Sequence, residues 1–315
     1  MKLKPKTLYR WYRDQISDFH TDTKEKKFAA HQVFTIDKET GEVLKTKVVH
    51  ILKLENVGPS MSIDEKMIGG KYCTLLSNQQ TGKIALLLES LKPEHIEQAL
   101  KLIPENIRST IENLTLDMSP MFNKICTQLF DHAQLIIDKF HVVKHLMDAL
   151  NTVRLLVKKK LKASKTINPH NPNGWTDVQL VEKTKYLLYK SAHKLSEEEK
   201  VWLEKVLALD EHLKQAYQIT HQLRDWYHSK NVGQKPGIQL QNLKDWMAKA
   251  SKTDAFQLVI NLLEKHRDKI LAYFKHGQTS ARAENLNGRI QRFIIANYGT
   301  RDPNFFYYRT QVYFT

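Results

Sequence analysis

The spacing of apolar residues changes character several times along the chain, and each change marks a boundary. Between Lys2 and Lys27, Leu8, Trp11, Tyr12 and Ile16 recur at helical intervals among eight Lys/Arg and four Asp/Glu, which predicts one basic amphipathic helix. In HQVFTIDKETGEVLKTKVVHIL, the run Asp37-Lys38-Glu39-Thr40-Gly41 divides two β-branched stretches, as a hairpin turn does. Leu44, Val48, Ile51 and Leu52 also fit one face of a helix over 42–54, so the pattern leaves both forms open there. From Met61, short apolar runs alternate with turn signals. SMSID, YCTLLS and KIALLLES, with a turn from Asn78 to Gly82, predict three consecutive antiparallel strands. A helical stretch from Pro93 to Glu112, broken at Pro104, leads to a strand ending NLTLD, a helix around Met121 to Phe130 and a strand AQLIID. The order β-β-β-α-β-α-β, with strands ending on Asp64, Asp117 and Asp138, predicts an α/β fold: a ribonuclease-H-like mixed sheet with flanking helices.

From Lys144 to Phe274 nearly every segment has helical period, with breaks at 168–174, before Asp210 and at 231–237. This predicts a large all-helical insertion. Ser196 followed by Glu199 is a capping box, and Thr253/Asp254 offers a helix N-cap. One more helix follows in QTSARAENLNGRIQRF, then an aromatic and basic tail. The expected division is a basic N-terminal segment (1–60), a sheet core (61–144), a helical insertion (145–275) and a closing helix with tail (276–315).

Composition narrows the classes. The 315 residues carry 49 Lys+Arg and 34 Asp+Glu, a net charge of 49 − 34 = +15, and are 41% hydrophobic, enough for a large core and unlike a disordered tail. Cys73 and Cys126 are each alone in apolar runs, which excludes a zinc ribbon or disulfide framework and suits a reducing cytoplasm. No apolar run approaches the roughly 18 residues of a membrane span, and no apolar leader follows the first lysines. The 14 histidines contain no HExxH pair. A strongly basic surface attracts polyanions, nucleic acid above all.

Singly, Asp64, Asp117 and Glu284 are ordinary residues. In a ribonuclease-H-like sheet, however, the strands carrying Asp64 and Asp117 are neighbours, and a Glu on the closing helix can complete an oxygen cage of the kind that binds Mg²⁺ or Mn²⁺. Two such ions can activate an attacking oxygen and stabilise a leaving one in phosphodiester chemistry.

At these residues the chain resembles the ISL-three family of DDE transposases from bacterial insertion sequences. The boxes are SIDEK at 62–66, LTLDM at 114–118, IIDKFHVVK at 136–144 with Arg154 further on, and TSARAENLNGRIQRF at 279–293, together spanning 61–315. The resemblance implies an enzyme that cleaves and rejoins DNA at element ends, with Asp64, Asp117 and Glu284 holding two Mg²⁺ or Mn²⁺ ions. It also implies double-stranded DNA as partner, a homo-oligomer on that DNA and a cytoplasmic, nucleoid-associated place of action. The acids are separated by 117 − 64 = 53 and 284 − 117 = 167 residues, the second gap holding the helical insertion. Two features depart from the pattern. Gln291 stands where family members commonly carry Lys, and no cysteine-rich zinc module precedes Asp64, which points to a separate end-recognition chain or a shortened copy.

Supporting roles follow the same reading. Asp138 and His141 are expected to orient ligands or substrate from behind the cage, against the plainer reading of a turn Asp and a packed His. Lys158, Lys159 and Lys160, in the basic run from Arg154 to Lys165, are expected to contact DNA phosphates, against a solvated helix face. Asn287 and Gln291 should share the inner helix face with Glu284, while Arg289 and Arg292 grip the backbone beside the scissile bond. Glu65 should point away from Asp64, and Trp175, Trp202, Trp226 and Trp246 read as core. The rival readings are a DNA-binding protein that keeps the fold without catalysis and a metal-dependent nuclease without strand transfer.

Overall fold

The chain was analysed as a computed structural model that describes residues 4–24, 31–164, 175–227, 231–276, 281–297 and 302–315. It divides into two compact units, one formed by Met1–Ile136 with Thr279–Thr315 and the other by Ile137–Gln278.

The first unit begins with α1 (Pro5–Trp11), a π-helical turn (Tyr12–Ile16) and α2 (Phe19–Lys24). Where the sequence predicts one helix, the chain breaks at Asp18, whose φ of 57° is the one positive value outside glycine among the described residues. A hairpin follows, β1 (His31–Ile36) and β2 (Val43–Leu52). Its turn is set by Asp37, whose carboxylate accepts from the Glu39 and Thr40 amides at 2.8 and 2.9 Å, and by Gly41 at φ 76°. The helical alternative over 42–54 loses because β2 finds strand partners on both sides, β1 and β5.

Next come β3 (Ser60–Ile68), β4 (Lys71–Asn78) and β5 (Ile84–Leu88). β3 runs past Asp64 to a two-residue turn in which Gly69 and Gly70 both have positive φ (60° and 79°), the form whose twist matches the flanking strands. Asp64 therefore lies inside a strand, where the sequence pattern placed it at a strand end. α3 (Pro93–Lys101), α4 (Glu105–Arg108), β6 (Asn113–Leu116), α5 (Pro120–Leu129) and β7 (Gln134–Ile137) complete the mixed seven-stranded sheet, in the order β1-β2-β5-β4-β3-β6-β7. Gln98 of α3 reaches the outer edge of the sheet, where its side-chain amide accepts from the Phe34 amide (2.9 Å) and donates to the Phe34 carbonyl (2.8 Å), giving an edge residue the two bonds a further strand would provide.

The second unit is helical: α6 (Lys139–Ser164), α7 (Asp177–Lys183), α8 (Lys185–Tyr189), α9 (Glu197–Leu207), α10 (Glu211–Trp226), α11 (Pro236–Ala250), α12 (Gln257–Lys265) and α13 (Arg267–His276). The Ser196/Glu199 capping box forms, a second one forms at Thr176/Gln179, and Asp210 caps α10. Thr253 precedes a short 3-10 turn (Asp254–Phe256) and makes no side-chain cap bond. Trp226 and Trp246 are buried, their indole N–H groups donating to Gln239 Oε1 and the Ile219 carbonyl; Trp175 and Trp202 stack on each other at 5.2 Å. The break at 168–174 lies outside the described residues, and among those described no helix is long and apolar enough to cross a membrane.

The chain then contributes α14 (Ala281–Ala296) and α15 (Pro303–Phe314) to the first unit. Leu286, Ile290 and Phe293 form one stripe of α14 and pack with Phe306, Tyr307 and Phe314 of α15 onto Ile51, Ile68, Cys73, Leu75, Ile84 and Leu87 of the sheet. The aromatic tail is thus a second core helix, which the sequence pattern left as an unassigned finish.

At the edge of this core lies a buried carboxylate. Glu89 receives Lys71 Nζ at 2.8 Å, Lys47 Nζ at 3.1 Å and His50 Nε2 at 3.1 Å, and the His50 ring stacks on Tyr307 at 3.4 Å. Burial alone would raise the Glu89 pKa, but the bonds from Lys71, His50 and Lys47 outweigh it and bring the group down to about 2. Burial also holds His50 below the usual histidine range, against the pull of Glu89. Both shifts favour the folded state at neutral pH. The His50 contribution is lost as pH falls below about 6.5, and the Glu89 contribution from about 4.5 toward 2. Glu89→Gln should cost about 3 kcal/mol at pH 7 and flatten the pH dependence below 4.5, checked by urea unfolding across a pH series.

Candidate active site on the sheet face

Strand register decides which acids meet. β3 pairs with β4 so that Asp64 stands opposite Leu75, and opposed residues of an antiparallel pair share a face. Leu75 belongs to the cluster beneath α14, so Asp64 is on the sheet face that α14 covers. On its other side β3 pairs in parallel with β6, the last couple being Ser62 with Thr115. Two residues onward from each are Asp64 and Asp117. Asp64 lies within β3 on the α14 face, and Asp117 is the first residue past β6, the strand about 4.8 Å from β3.

The local backbone holds each acid. Asp64 Oδ1 accepts from the Glu65 amide at 2.9 Å, and Asp117 Oδ1 from the Ser119 amide at 2.8 Å, in the turn that leads into Pro120 and α5. Both residues are half-buried, whereas Glu65 is exposed on the other face, opposite Thr74. Glu284 and Asn287 lie in α14, with side chains outside the described residues. Gln291, expected on the inner face, is exposed; the inner stripe is Leu286, Ile290 and Phe293, because burying that apolar face outweighs any placement of an amide there. Among the described residues no three His, Cys, Asp or Glu side chains converge as a metal cluster.

Asp138 and His141 belong to the helical unit. Asp138 follows β7 and accepts from the Phe140 amide at 3.0 Å at the start of α6, and Lys139 Nζ donates to the Tyr227 carbonyl at 3.2 Å. Burial first, then the Asp138 charge, raise the hydroxyl pKa of Tyr273; for the fully buried Tyr227, Tyr273 contributes before Asp138.

The basic residues divide by environment. Arg154 is buried and gives two 3.0 Å bonds to Asn151 Oδ1, Lys158 pairs with Glu182, and Lys160 pairs with Asp210 at 2.9 Å, whereas Lys159 is exposed. Arg289 is half-buried with its guanidinium over the rings of Tyr313 (5.5 Å) and Phe314 (5.4 Å), while Arg292 is exposed. Sequence reasoning passed over Arg309, which joins α15 to Asn297 and to three rings; its only signal was position within the aromatic tail.

Comparison with known proteins adds the family. A curated relative, the transposase for insertion sequence element IS1001 of Bordetella parapertussis, is 20% identical over 250 residues, covering 78% of this chain and 58% of that protein. The chain thus spans less than two thirds of that relative. No solved structure matches significantly. The profile of the ISL-three transposase family, described simply as transposase, matches residues 61–310, or 310 − 61 + 1 = 250 of the 315. On that match over most of its length, this chain belongs to the ISL-three family of transposases.

Proposed function

We propose that the chain is the catalytic part of a DDE transposase that cleaves DNA at the ends of an insertion sequence and joins it to a target. The observation that carries this reading is the parallel pairing of β3 with β6, whose last couple is Ser62 with Thr115; carried two residues further, that register sets Asp64 and Asp117 on one face in this proposal. Two carboxylates from adjacent parallel strands, with backbone amides holding one oxygen of each, are a hard-oxygen donor set suited to Mg²⁺ or Mn²⁺. Glu284, on the helix packed over that face, is the third ligand in this proposal. Bound in pairs, such ions lower the pKa of an attacking oxygen and neutralise charge on the leaving one. The protein's own part is to keep the two strand acids in fixed register and to close the face with α14. Asp138 and His141 are proposed as orienting residues at the start of α6.

Double-stranded DNA is the proposed partner, bound by a homo-oligomer. A net charge of +15 supplies sequence-independent affinity through phosphate neutralisation. Lys159 and Arg292, both exposed, are the proposed direct phosphate contacts. Lys158 and Lys160, each with a carboxylate partner, and Arg289, held over two rings, add mainly to the field. Asn287, one helical turn beyond Glu284, is proposed to contact DNA beside the scissile bond.

Asp64→Asn or Asp117→Asn should abolish Mn²⁺-dependent cleavage of end-containing DNA while changing its affinity little, since affinity rests on Lys and Arg; single-turnover cleavage and filter binding read the two separately, and full cleavage by either variant rules out the cage. The same residues keep a DNA-binding protein without catalysis distinguishable, because that protein shows no cleavage in the parent.

The two arginines of α14 should separate. Arg292→Ala should reduce the slope of log affinity against log salt by about one with no change in melting temperature. Arg289→Ala should lower stability by about 1 kcal/mol through its lost ring contacts, read by thermal unfolding.

A further inference from the structure

Residues 4–24 and the last helix are far apart in sequence and packed together in the fold. Phe19 and Tyr9 meet Phe305 at ring distances of 5.2 and 5.9 Å, and Phe19 meets Tyr308 at 5.3 Å. The Tyr308 hydroxyl lies 2.9 Å from the Ser17 carbonyl and 2.8 Å from the Asp22 carboxylate, and Arg13 pairs with Asp302, the N-cap of α15, at 3.3 Å. The N-terminal helices are therefore bound to α15 by rings and polar bonds, in a segment whose sequence reads as one basic amphipathic helix.

Arg309 carries that attachment onward to α14. Its guanidinium lies over Tyr12 of the N-terminal turn (5.4 Å), Phe293 of α14 (5.7 Å) and Phe305 of α15 (5.9 Å), and it donates to Asn297 Oδ1 immediately after α14. A planar cation between three rings with a bond at its edge fixes direction as well as distance, which a lysine's point charge does not. One turn before Phe293, Arg289 lies over Tyr313 and Phe314 and ties α14 to α15 a second time.

We propose that Arg309 is a positioning residue for α14, and that the N-terminal helices brace this helix through Tyr12 and Arg309 so that it is held in place over the sheet acids. The proposal rests on the metal-cage reading, in which α14 brings the third carboxylate. A misplacement of about 1 Å far from the chemistry lowers rate by as much as a hundredfold, so loosening the brace acts on catalysis with DNA affinity preserved.

The test uses the full chain with Tyr12→Ala, Tyr12→Phe and Arg309→Lys. Tyr12 is 39% exposed, so its removal leaves the core intact even where the Arg309 variant folds poorly. Tyr12→Ala is expected to speed amide hydrogen exchange across α14, weaken Mn²⁺ binding measured by electron paramagnetic resonance about tenfold and slow single-turnover cleavage about ten- to a hundredfold. DNA affinity should stay within about twofold, and Tyr12→Phe should restore all three readouts. Unchanged α14 exchange and Mn²⁺ binding in Tyr12→Ala overturns the proposal, as does a loss of DNA affinity equal to the loss of cleavage. Parent and Asp64→Asn chains run alongside: Mn²⁺ binding and cleavage surviving in Asp64→Asn would sink the cage while α14 exchange still reports on the brace.

Discussion

The parallel pairing of β3 with β6 is the constraint on which the rest of the site depends. A parallel pair needs a long connection, and here β4, β5, α3 and α4 supply it. Its last couple, Ser62 with Thr115, stands two residues before Asp64 and Asp117. A slip of one residue on either strand would turn one acid to the face bearing Ile63 and Leu116. The antiparallel neighbour β4 guards against that slip from the other side, because eight consecutive couples and a two-glycine turn lock β3 into place.

The face that carries the acids is closed by helices from the far end of the chain. α14 and α15 bury Leu286, Ile290, Phe293, Phe306, Tyr307 and Phe314 against the middle of the sheet, which leaves the acid-bearing positions of β3 and β6 beside an anchored helix. Cation–ring contacts join the two helices, Arg289 lying over Tyr313 and Phe314 and Arg309 over Phe293. The buried Glu89 does the complementary work under Tyr307, gathering two lysines and a neutral histidine at the core margin.

Charge in the helical unit has a structural share that net composition hides. Arg154, Lys158 and Lys160 stand in one basic run, yet the first is buried on an asparagine and the other two meet carboxylates of α7 and the cap of α10. Lys159 sits among them and is exposed, and Lys160 is exposed as well, its ammonium on the Asp210 carboxylate. The field of the whole molecule is thus set by composition, and the availability of each cation by packing.

Sequence by itself determined the alternation of strands and helices from Met61 to Asp138, the helical character of residues 144–274, the Ser196 capping box and the boxes around Asp64, Asp117 and Glu284. These signals are local, since a strand's period, a cap or a short motif is written within a few residues. Tertiary packing chose the strand over 43–52, because both forms satisfy its apolar spacing and only its partners β1 and β5 separate them. It alone turned the tail into a core helix, placed Gln291 outward and joined Tyr12 to Arg309 across almost the whole chain. Contacts between residues nearly three hundred positions apart leave no periodic trace in sequence, and their free energy appears only when both surfaces are already folded.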